Sequence, residues 1–398
     1  MRKYLLLVFT SIAFLFSSCK SSEVPPSIDS PKTVVAPTVK EDNEKSKKNT
    51  ITLLFGGDIM AHNENYNISS FDKIWKDITP LVSSVDFAFA NIESPIDPLK
   101  NVSSYPNFNM NKEYIQAAID CGFNVFSLCN NHTNDQGLEG ILETQNSMIS
   151  LSEHNNIYFS GLRANKEEDF TYNVIEKKNW KIVFLPITEI LNHQTYIEYI
   201  NYSRPNKKDR EKLFNSIKKI RNKEKCDLFI LSLHTYEPEY VRSVTEEQEN
   251  YYMDLLDSGI DIIMANHTHL IKDRKVVVDT KTNSDKLIMY ANGNIISGQR
   301  RNPNLTLANP NLERDNTGDG LLYKVTLSKD KNGRIEILKA EPIFITTYIN
   351  TAHEFIIKKM DDNFINYLYD VGRIDWAKYI TNRIRINNEE TKDLIQWR

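Results

Sequence analysis

The sequence has few cysteines and no marked excess of charge of either sign. Four of its 398 residues are cysteine, which argues against a fold held together by disulfides. Its 49 lysine and arginine residues and 53 acidic residues give a net charge of −4, with both signs interspersed along the chain. We find no basic stripe of the kind that binds nucleic acid. Gly56-Gly57 is not followed by the Gly-Lys-Ser/Thr signature of a phosphate-binding loop, so nucleotide binding is not supported.

Three of the four cysteines lie in the part of the chain that we expect to fold. Cys121, Cys129 and Cys226 each stand in or beside an apolar run. This position predicts buried free thiols rather than a disulfide framework. A pair between Cys121 and Cys129 is the alternative.

The chain has no long apolar run after its amino terminus. Residues 2–3 are basic and residues 4–16 are almost entirely apolar, but this run is shorter than the roughly 20 residues that span a membrane. It predicts a signal segment over residues 1–19. The stretch Leu15-Phe16-Ser17-Ser18-Cys19 resembles a bacterial lipobox, in which the cysteine becomes the lipid-modified first residue. We therefore expect an extracytoplasmic, membrane-anchored lipoprotein of the cell envelope, and the alternative is an ordinary secretory signal with an incidental cysteine.

The composition changes after Cys19. Ser, Pro, Lys, Glu and Asp dominate residues 20–50, and aromatic residues are absent. Such a segment buries too little apolar surface to offset its ordering entropy, so it predicts a flexible tether. We expect one large domain over residues 51–345 and a helical extension over residues 346–398, which either packs as a cap or frays.

Short apolar runs alternate with helical patterns through the expected domain, and this alternation predicts an α/β layered fold. The predicted strands are 51–55, 86–90, 124–128, 181–185, 228–233, 260–265 and 287–290, followed by paired strands at 320–327 and 334–344. The predicted helices are 71–82, 112–121, 140–153, 207–223 and 246–258. Most of the strands end in a polar cluster, where functional groups gather in folds of this class.

The most informative cluster is Asn266-His267-Thr268-His269, which follows an apolar strand. Two histidines at this spacing can both face one cleft when the turn curls, and neutral imidazole is a common metal ligand. A pair of hydrogen-bonded loop histidines is the alternative. Other predicted strands end in further ligand-type residues, namely Asp58, Asn131-His132 and His234. Their presence favours a metal site. Two metal ions about 3.5–4 Å apart would clamp both oxygens of an in-line displacement.

The ordered set of these clusters resembles the calcineurin-like metallophosphoesterase superfamily and, within it, the CapA-type capsule synthesis proteins linked to poly-γ-glutamate production. The matching stretches are 57–60, 90–95, 130–137, 232–240, 261–270 and 290–295. The resemblance implies a β-sandwich flanked by helices, in four layers (αββα). It also implies one or two divalent metal ions, with Mn, Fe or Zn as candidates.

The resemblance further implies a role for each site residue. Asp58 and Glu93 would be carboxylate ligands with Asn91 as a neighbour, while Asn131, His234 and His267 would serve one metal and His269 the other. His132 would act beside the substrate as a catalytic residue. Asp135 would either orient His132 or take a helix N-terminal role. Glu239 and Tyr240 would line the cleft and bind substrate, or be a solvated loop acid and a packed ring.

One position departs from the superfamily pattern, in which a histidine stands two residues after the first aspartate. Met60 takes that place here, as in the CapA-type branch, so one cation would have fewer ligands. His62 lies close by and could substitute, and the alternative is an ordinary surface histidine. His154, His193 and His353 stand in polar surroundings and are expected at the surface.

These features predict an exported, metal-dependent hydrolase or phosphoesterase of capsule or cell-envelope polymer biosynthesis. Its expected partners are an anionic envelope or capsule polymer, the membrane through the lipid anchor, and other capsule-synthesis membrane proteins. The first alternative is an anchored, non-catalytic polymer-binding protein that keeps a degraded cleft. A transporter's substrate-binding lipoprotein is a second alternative, but such proteins have two similar lobes and no second α/β lobe follows residue 327.

Overall fold

A computed structural model of the protein describes residues 34–35, 49–165 and 169–395. The predicted signal segment, Cys19 and most of the predicted tether lie outside these ranges. The strands are β1 (Val34–Val35), β2 (Thr50–Ile59), β3 (Phe87–Ile92), β4 (Val125–Ser127), β5 (Tyr158–Ser160), β6 (Asn173–Lys177), β7 (Trp180–Thr188), β8 (Leu228–His234), β9 (Ile262–Asn266), β10 (Arg274–Val278), β11 (Asp285–Met289), β12 (Asn294–Ile296), β13 (Asp319–Lys329), β14 (Ile335–Ile349), β15 (Phe355–Lys359) and β16 (Asp393–Ile395). The helices are α1 (Asn63–Tyr66), α2 (Asp72–Trp75), α3 (Thr79–Val82), α4 (Lys112–Cys121), α5 (Gly137–Ser152), α6 (Lys207–Glu224), α7 (Glu246–Ser258), α8 (Glu313–Asn316), α9 (Asp362–Asp370) and α10 (Ile374–Glu390), with a short 3₁₀ helix at Ile197–Tyr199.

The strands form two sheets. The first has the order β1-β14-β13-β2-β3-β4-β5, with β12 also paired to β2 and β15 to β14. The second has the order β16-β10-β11-β9-β8-β7-β6. The central strands of each sheet run parallel, β2 to β5 in the first and β7, β8, β9 and β11 in the second. Residues at the carboxyl ends of neighbouring strands therefore meet at one edge of each sheet.

Alternating side chains of the strands build the layers. In β2, Leu53 and Phe55 face the second sheet, whereas Leu54 faces the helices on the outer side, as the period of two in a strand requires. Between the sheets, the Phe89 and Phe184 rings lie 5.5 Å apart. Helices α2 to α5 cover the first sheet, and α6 and α7 cover the second. This arrangement confirms the predicted α/β class with four layers in the order αββα.

The predicted helix over residues 71–82 is wrong, because the structure has two short helices there, α2 and α3. Pro80 stands in the first turn of α3, where its missing N–H group costs nothing. The predicted strand pair near the end of the domain is confirmed by the antiparallel pairing of β13 with β14.

The carboxyl-terminal residues pack on the body of the fold. Phe364, Leu368, Trp376 and Ile380 of α9 and α10 join the hydrophobic core between the sheets, and β16 pairs in parallel with β10. The expected division after residue 345 falls inside β14. In the described ranges, no helix combines the length and the apolar character that crossing a membrane requires.

The three cysteines of the described region are free and buried. Burial raises the pKa of the Cys121 thiol to about 11, so this sulfur stays protonated at neutral pH. The prediction of buried free thiols is confirmed, and the alternative pair between Cys121 and Cys129 is wrong.

Candidate metal centre

The predicted ligand residues lie together at the carboxyl ends of parallel strands. Asp58 stands near the end of β2, directly opposite Asn91 of β3, and Glu93 follows β3. Asn131 and His132 follow β4, His234 is the last residue of β8, and His267 follows β9. The parallel direction of the strands brings the polar side chains of each sheet to its carboxyl edge, and the two edges meet here, where His234 of the second sheet contacts Asn131 of the first.

Two carboxylates and an amide form the acidic part of the group. Nδ2 of Asn91 donates to Oδ1 of Asp58 at 2.8 Å and lies 3.4 Å from Oε2 of Glu93. The other oxygens, Oδ2 of Asp58 and Oε1 of Glu93, are buried and accept no hydrogen bond from the described residues. Burial and the adjacent Asp58 charge raise the pKa of Glu93 well above its ordinary value. A cation bound to these two oxygens would take the place of the missing hydrogen-bond donors and offset the free-energy cost of burying them.

Three ligand-type atoms converge beside the acidic part. Nε2 of His234 lies 2.8 Å from Oδ1 of Asn131 and 3.2 Å from Nδ1 of His267. Burial lowers the pKa of His234 well below its ordinary value and the pKa of His267 to about 4. Both imidazoles are therefore neutral at pH 7, which is the form that binds metal ions.

His269 also lies close to the two carboxylates. Its Nε2 lies 3.6 Å from Oε1 of Glu93, and its Nδ1 lies 3.3 Å from Oδ2 of Asp58 and 3.1 Å from Oδ1 of Asn294. Nδ2 of Asn294 donates to the Thr317 carbonyl oxygen at 2.8 Å, which turns the Asn294 oxygen towards His269. A proton on Nδ1 of His269 would leave the Nε2 lone pair directed at Glu93, a common support for a metal-binding histidine.

The residues at this edge fit a divalent metal ion. Ligand atoms of Asp58, Glu93 and His234 all lie within 4.8 Å of one another, and all three residues are buried. Carboxylate, imidazole and amide oxygen together suit a divalent transition metal. Asn131, His234 and His267 form one side of the group, while Asp58, Glu93 and His269 form the other.

Two tight turns hold the ligands in position. The Asp58 N–H donates to the Gly293 carbonyl oxygen at 3.0 Å, and a Cβ atom on Gly57 would lie 1.7 Å from that oxygen. The turn after β9 puts His267 at φ 117° and His269 at φ 57°, in the left-handed region that non-glycine residues avoid. Such backbone strain is concentrated at functional sites.

His132 and Asp135 form a pair next to the ligand group. Nδ1 of His132 lies 2.7 Å from Oδ2 of Asp135, and the same oxygen accepts the Phe108 N–H at 2.8 Å. Nδ2 of Asn192 also approaches Nδ1 of His132, at 3.2 Å. Helix α5 begins at Gly137 with Gln136 as its N-cap, so Asp135 contacts His132 rather than capping the helix.

A cavity of about 890 Å³ lies beside this group, and its lining includes Met60, His132, Glu239, Tyr240 and His269. The Tyr240 hydroxyl accepts a hydrogen bond from Arg314 at 3.0 Å, and its ring lies 6.1 Å from that of His269. The ligand residue His269 and the His132 ring therefore both border this cavity.

The histidines outside the predicted ligand set differ in their surroundings. The surface interpretation of His62 is wrong, because its side chain is buried and its Nδ1 accepts the Gly298 N–H at 3.1 Å. His154 and His353 are exposed, as predicted. His193 is also exposed, although its Nε2 lies 3.2 Å from Oδ1 of Asn107.

Sequence reasoning missed the amides that support the ligands. Asn294 was part of a recognised stretch, but nothing in the stretch indicates that its oxygen faces His269. Asn192 lies on the segment after β7, far from the other motifs in sequence. No pattern in the sequence indicates either contact.

Comparison with known proteins places the chain in a family. The model of the bacterial capsule synthesis protein PGA_cap family matches residues 52–299, more than half of the chain. The chain is 25% identical over 320 residues to the capsule biosynthesis protein CapA of Bacillus anthracis, covering 74% of this chain and 70% of that protein. It is 23% identical over 273 residues to the PGA biosynthesis protein CapA of Bacillus subtilis strain 168, covering 66% and 68%. A calcineurin-like phosphoesterase from Bacillus subtilis aligns in structure with a TM-score of 0.39 and 12% identity, over 83% of this chain and 99% of that one. The predicted CapA-type relationship is confirmed, and the chain belongs to the bacterial capsule synthesis protein PGA_cap family.

Proposed function

We propose that this protein is a metal-dependent hydrolase or transferase of capsule or cell-envelope polymer biosynthesis, acting on a phosphoester or a related acyl bond. The observation that carries the proposal is the convergence of Asp58, Glu93 and His234 within 4.8 Å in a buried site. The His132–Asp135 pair beside that site supports it, because proton transfer at the scissile bond needs such a group.

Each residue of the site has a role in the proposed reaction. One or two divalent ions (Mn, Fe or Zn) would be held by Asp58, Glu93, Asn131, His234, His267 and His269, with Asn91 fixing the carboxylates. Such ions supply Lewis acidity towards a phosphoryl or carbonyl oxygen. His132 donates a proton to the leaving group, and Asp135 keeps the imidazole in the required orientation. Glu239 and Tyr240 line the cavity through which the substrate enters.

The polymer and the location are also part of the proposal. The names of the Bacillus relatives refer to capsule and PGA biosynthesis, and they favour an anionic polymer of the poly-γ-glutamate type as the substrate. The amino-terminal sequence supports export and a lipid anchor at Cys19, with residues 20–50 as a tether to the domain. The membrane and other capsule-synthesis membrane proteins are the partners expected at that location.

Metal analysis of the purified protein tests the central point. We expect bound Mn, Fe or Zn in the wild type and a loss of most of it in His267→Ala, because this change removes one of the converging imidazoles. His154→Ala is the matched control, since His154 is exposed and far from the ligand group in sequence. A wild-type protein that binds none of the three metals, or equal metal in both variants, would rule out the metal centre.

A second function is favoured by Met60. Its side chain lines the cavity at the position where the superfamily pattern has a histidine, which leaves one side of the ligand group with fewer nitrogen donors. The alternative is therefore an anchored polymer-binding protein with a cleft that no longer catalyses. Turnover of bis(p-nitrophenyl) phosphate with added Mn²⁺ separates the two, because a binding protein retains polymer without any turnover.

A further inference from the structure

His62 lies on the wall of the same cavity as His132 and His269. Its Nδ1 accepts the Gly298 N–H at 3.1 Å. A neutral imidazole has one protonated nitrogen and one acceptor nitrogen, so this bond puts the ring proton on Nε2. Burial is the main cause that lowers the pKa of His62 to about 3, so the neutral form dominates at pH 7. Nε2 has no hydrogen-bond partner among the described residues.

This arrangement makes His62 a donor and not a metal ligand. Metal binding at Nε2 would move the ring proton to Nδ1, where it would face the Gly298 N–H. The imidazole is held in this orientation by the Gly298 N–H and packs edge-on against Phe108, whose ring centre lies 5.0 Å away. The sequence-based idea that His62 replaces the missing histidine ligand therefore conflicts with its hydrogen bonding.

Arg314 is an exposed residue on another part of the cavity wall. Its Nη1 donates to the Tyr240 hydroxyl at 3.0 Å, and its guanidinium carbon lies 4.7 Å from the centre of the Tyr240 ring. The Tyr240 hydroxyl takes one of the five N–H donors that a guanidinium has. A guanidinium held in this way is preorganised to bind an oxyanion with its remaining donors.

We propose that His62 and Arg314 form an oxyanion subsite beside the metal ligands, in which Nε2–H of His62 and the Arg314 guanidinium bind a phosphoryl or carboxylate oxygen of the substrate. This inference rests on the proposed function, because it assumes that the substrate reaches the ligand group through this cavity. The subsite recognises charge next to the reacting bond and would select an anionic polymer over a neutral one.

The first test reads the proton on His62 directly. With only eight histidines in the chain, ¹⁵N-histidine labelling gives few ring signals, and His62→Gln identifies those of His62. We expect a long-range ¹⁵N–¹H spectrum to show the proton on Nε2 both without metal and after Zn²⁺ is added. A proton on Nδ1, or a loss of the Nε2 proton on adding Zn²⁺, would make His62 a ligand and overturn the proposal.

The second test titrates the full-length protein with two anions. Inorganic phosphate and glutarate each offer an oxyanion, and the one that shifts the His62 Nε2–H signal identifies a phosphoryl or a carboxylate group as the natural ligand. Arg314→Gln should weaken that anion about tenfold, equivalent to about 1.4 kcal/mol. Arg301→Gln is the matched control and should weaken it less, because Arg301 is already 3.3 Å from Glu64.

The outcomes separate this proposal from the metal centre. His62→Gln and Arg314→Gln should keep the wild-type metal content, because neither residue is a ligand. No shift of His62 with either anion, or unchanged anion affinity in Arg314→Gln, would refute the subsite even if metal binds. A wild-type protein without metal would refute the proposed function, whereas the His62 proton and the anion shifts would still be measured.

Discussion

Nδ1 of His132 lies 2.7 Å from Oδ2 of Asp135, and the two side chains are 4% and 0% exposed. The ring is further confined by Phe108, whose centre lies 4.7 Å from that of His132. The Phe108 N–H donates to the same carboxylate oxygen, so one loop holds both members of the pair. The imidazole is thereby fixed with Nδ1 towards Asp135, which leaves Nε2 for the cavity.

We expect His132→Ala to lower the turnover of an activated phosphoester about 100-fold or more, because in the proposed function His132 moves a proton at the leaving oxygen. Asp135→Asn should have a smaller effect, since an amide oxygen can still accept a hydrogen bond from Nδ1. Both are measured as kcat with saturating Mn²⁺. Metal content should stay at the wild-type value in each variant.

Asp120→Asn is the control for the change of charge at Asp135. Asp120 is exposed on α4 and contacts Gln116 rather than the site. The turnover of Asp120→Asn should match that of the wild type. Full turnover in His132→Ala would contradict the assignment of His132 as the proton donor, whatever the metal content.

Gly57→Ala should disrupt the ligand group without removing a ligand. The added Cβ atom would lie 1.7 Å from the Gly293 carbonyl oxygen, which accepts the Asp58 N–H. The backbone must shift to relieve this overlap, at a cost of about 3 kcal/mol. We expect a lower free energy of unfolding in urea together with a loss of bound metal.

Gly333→Ala is the control for Gly57→Ala. Gly333 has a φ of 83° and open space around the position of a Cβ atom. Gly333→Ala should therefore lower the free energy of unfolding only by the roughly 1–2 kcal/mol that left-handed backbone costs a residue with a side chain. It should leave metal binding intact. Retention of metal by Gly57→Ala would show that the turn with Gly293 does not position Asp58.

If Cys19 carries a lipid, that lipid anchors the protein to the membrane. Each buried CH₂ group contributes about 0.8 kcal/mol of membrane affinity, so acylated protein should partition into a detergent phase. Cys19→Ser should move it to the aqueous phase, whereas Cys121→Ser, which changes a buried thiol in α4, should not. Wild-type protein in the aqueous phase would indicate secretion without an anchor.

The sequence predicted the parts of the site that depend on parallel strands, and missed those that depend on loop conformation. Asp58 could be grouped in advance with Asn91, and His234 with His267, because strand ends of a parallel sheet meet at one edge. Arg314 could not, since its position follows from a long segment after β12. The direction of the Asn294 oxygen depends on the acceptors around its amide nitrogen, on Ser297, Gln299 and Thr317, which no local pattern encodes.

The same reasoning applies to the fold. Apolar runs predicted the central strands, but short strands such as β5 and β16 have too few residues for a clear alternation. The buried charges that tie α10 to the body of the fold were also missed. A helical pattern shows which face is apolar, but it does not show that Arg383 on that face finds a buried partner.

That partner is Asp319, which is fully buried at the start of β13. Its Oδ2 accepts from Nε of Arg383 at 2.7 Å, and its Oδ1 accepts from Nη1 of Arg300 at 2.9 Å. Burial alone would raise the pKa of Asp319, but the two guanidinium groups outweigh it and hold the pKa below its ordinary value. Breaking a buried pair leaves uncompensated charge, so Asp319→Asn should lower the free energy of unfolding by about 3–5 kcal/mol.

The sign of the pH dependence follows from the lowered pKa. The folded state holds the Asp319 proton less tightly than the unfolded chain, in which an aspartate has a pKa of about 3.9. The ionised Asp319 carboxylate therefore stabilises the folded state fully above the unfolded pKa. This stabilisation is lost as the pH falls from the unfolded pKa through the lower folded pKa. Urea unfolding at pH 7 and at pH 3 measures this stabilisation, and the difference in the free energy of unfolding between wild type and Asp319→Asn should shrink at the lower pH.

Asp169→Asn is the control, because the Asp169–Lys219 pair is exposed and should contribute about 0–1 kcal/mol at either pH. An equal difference between wild type and Asp319→Asn at both pH values would show that Asp319 acts through packing and not through its charge.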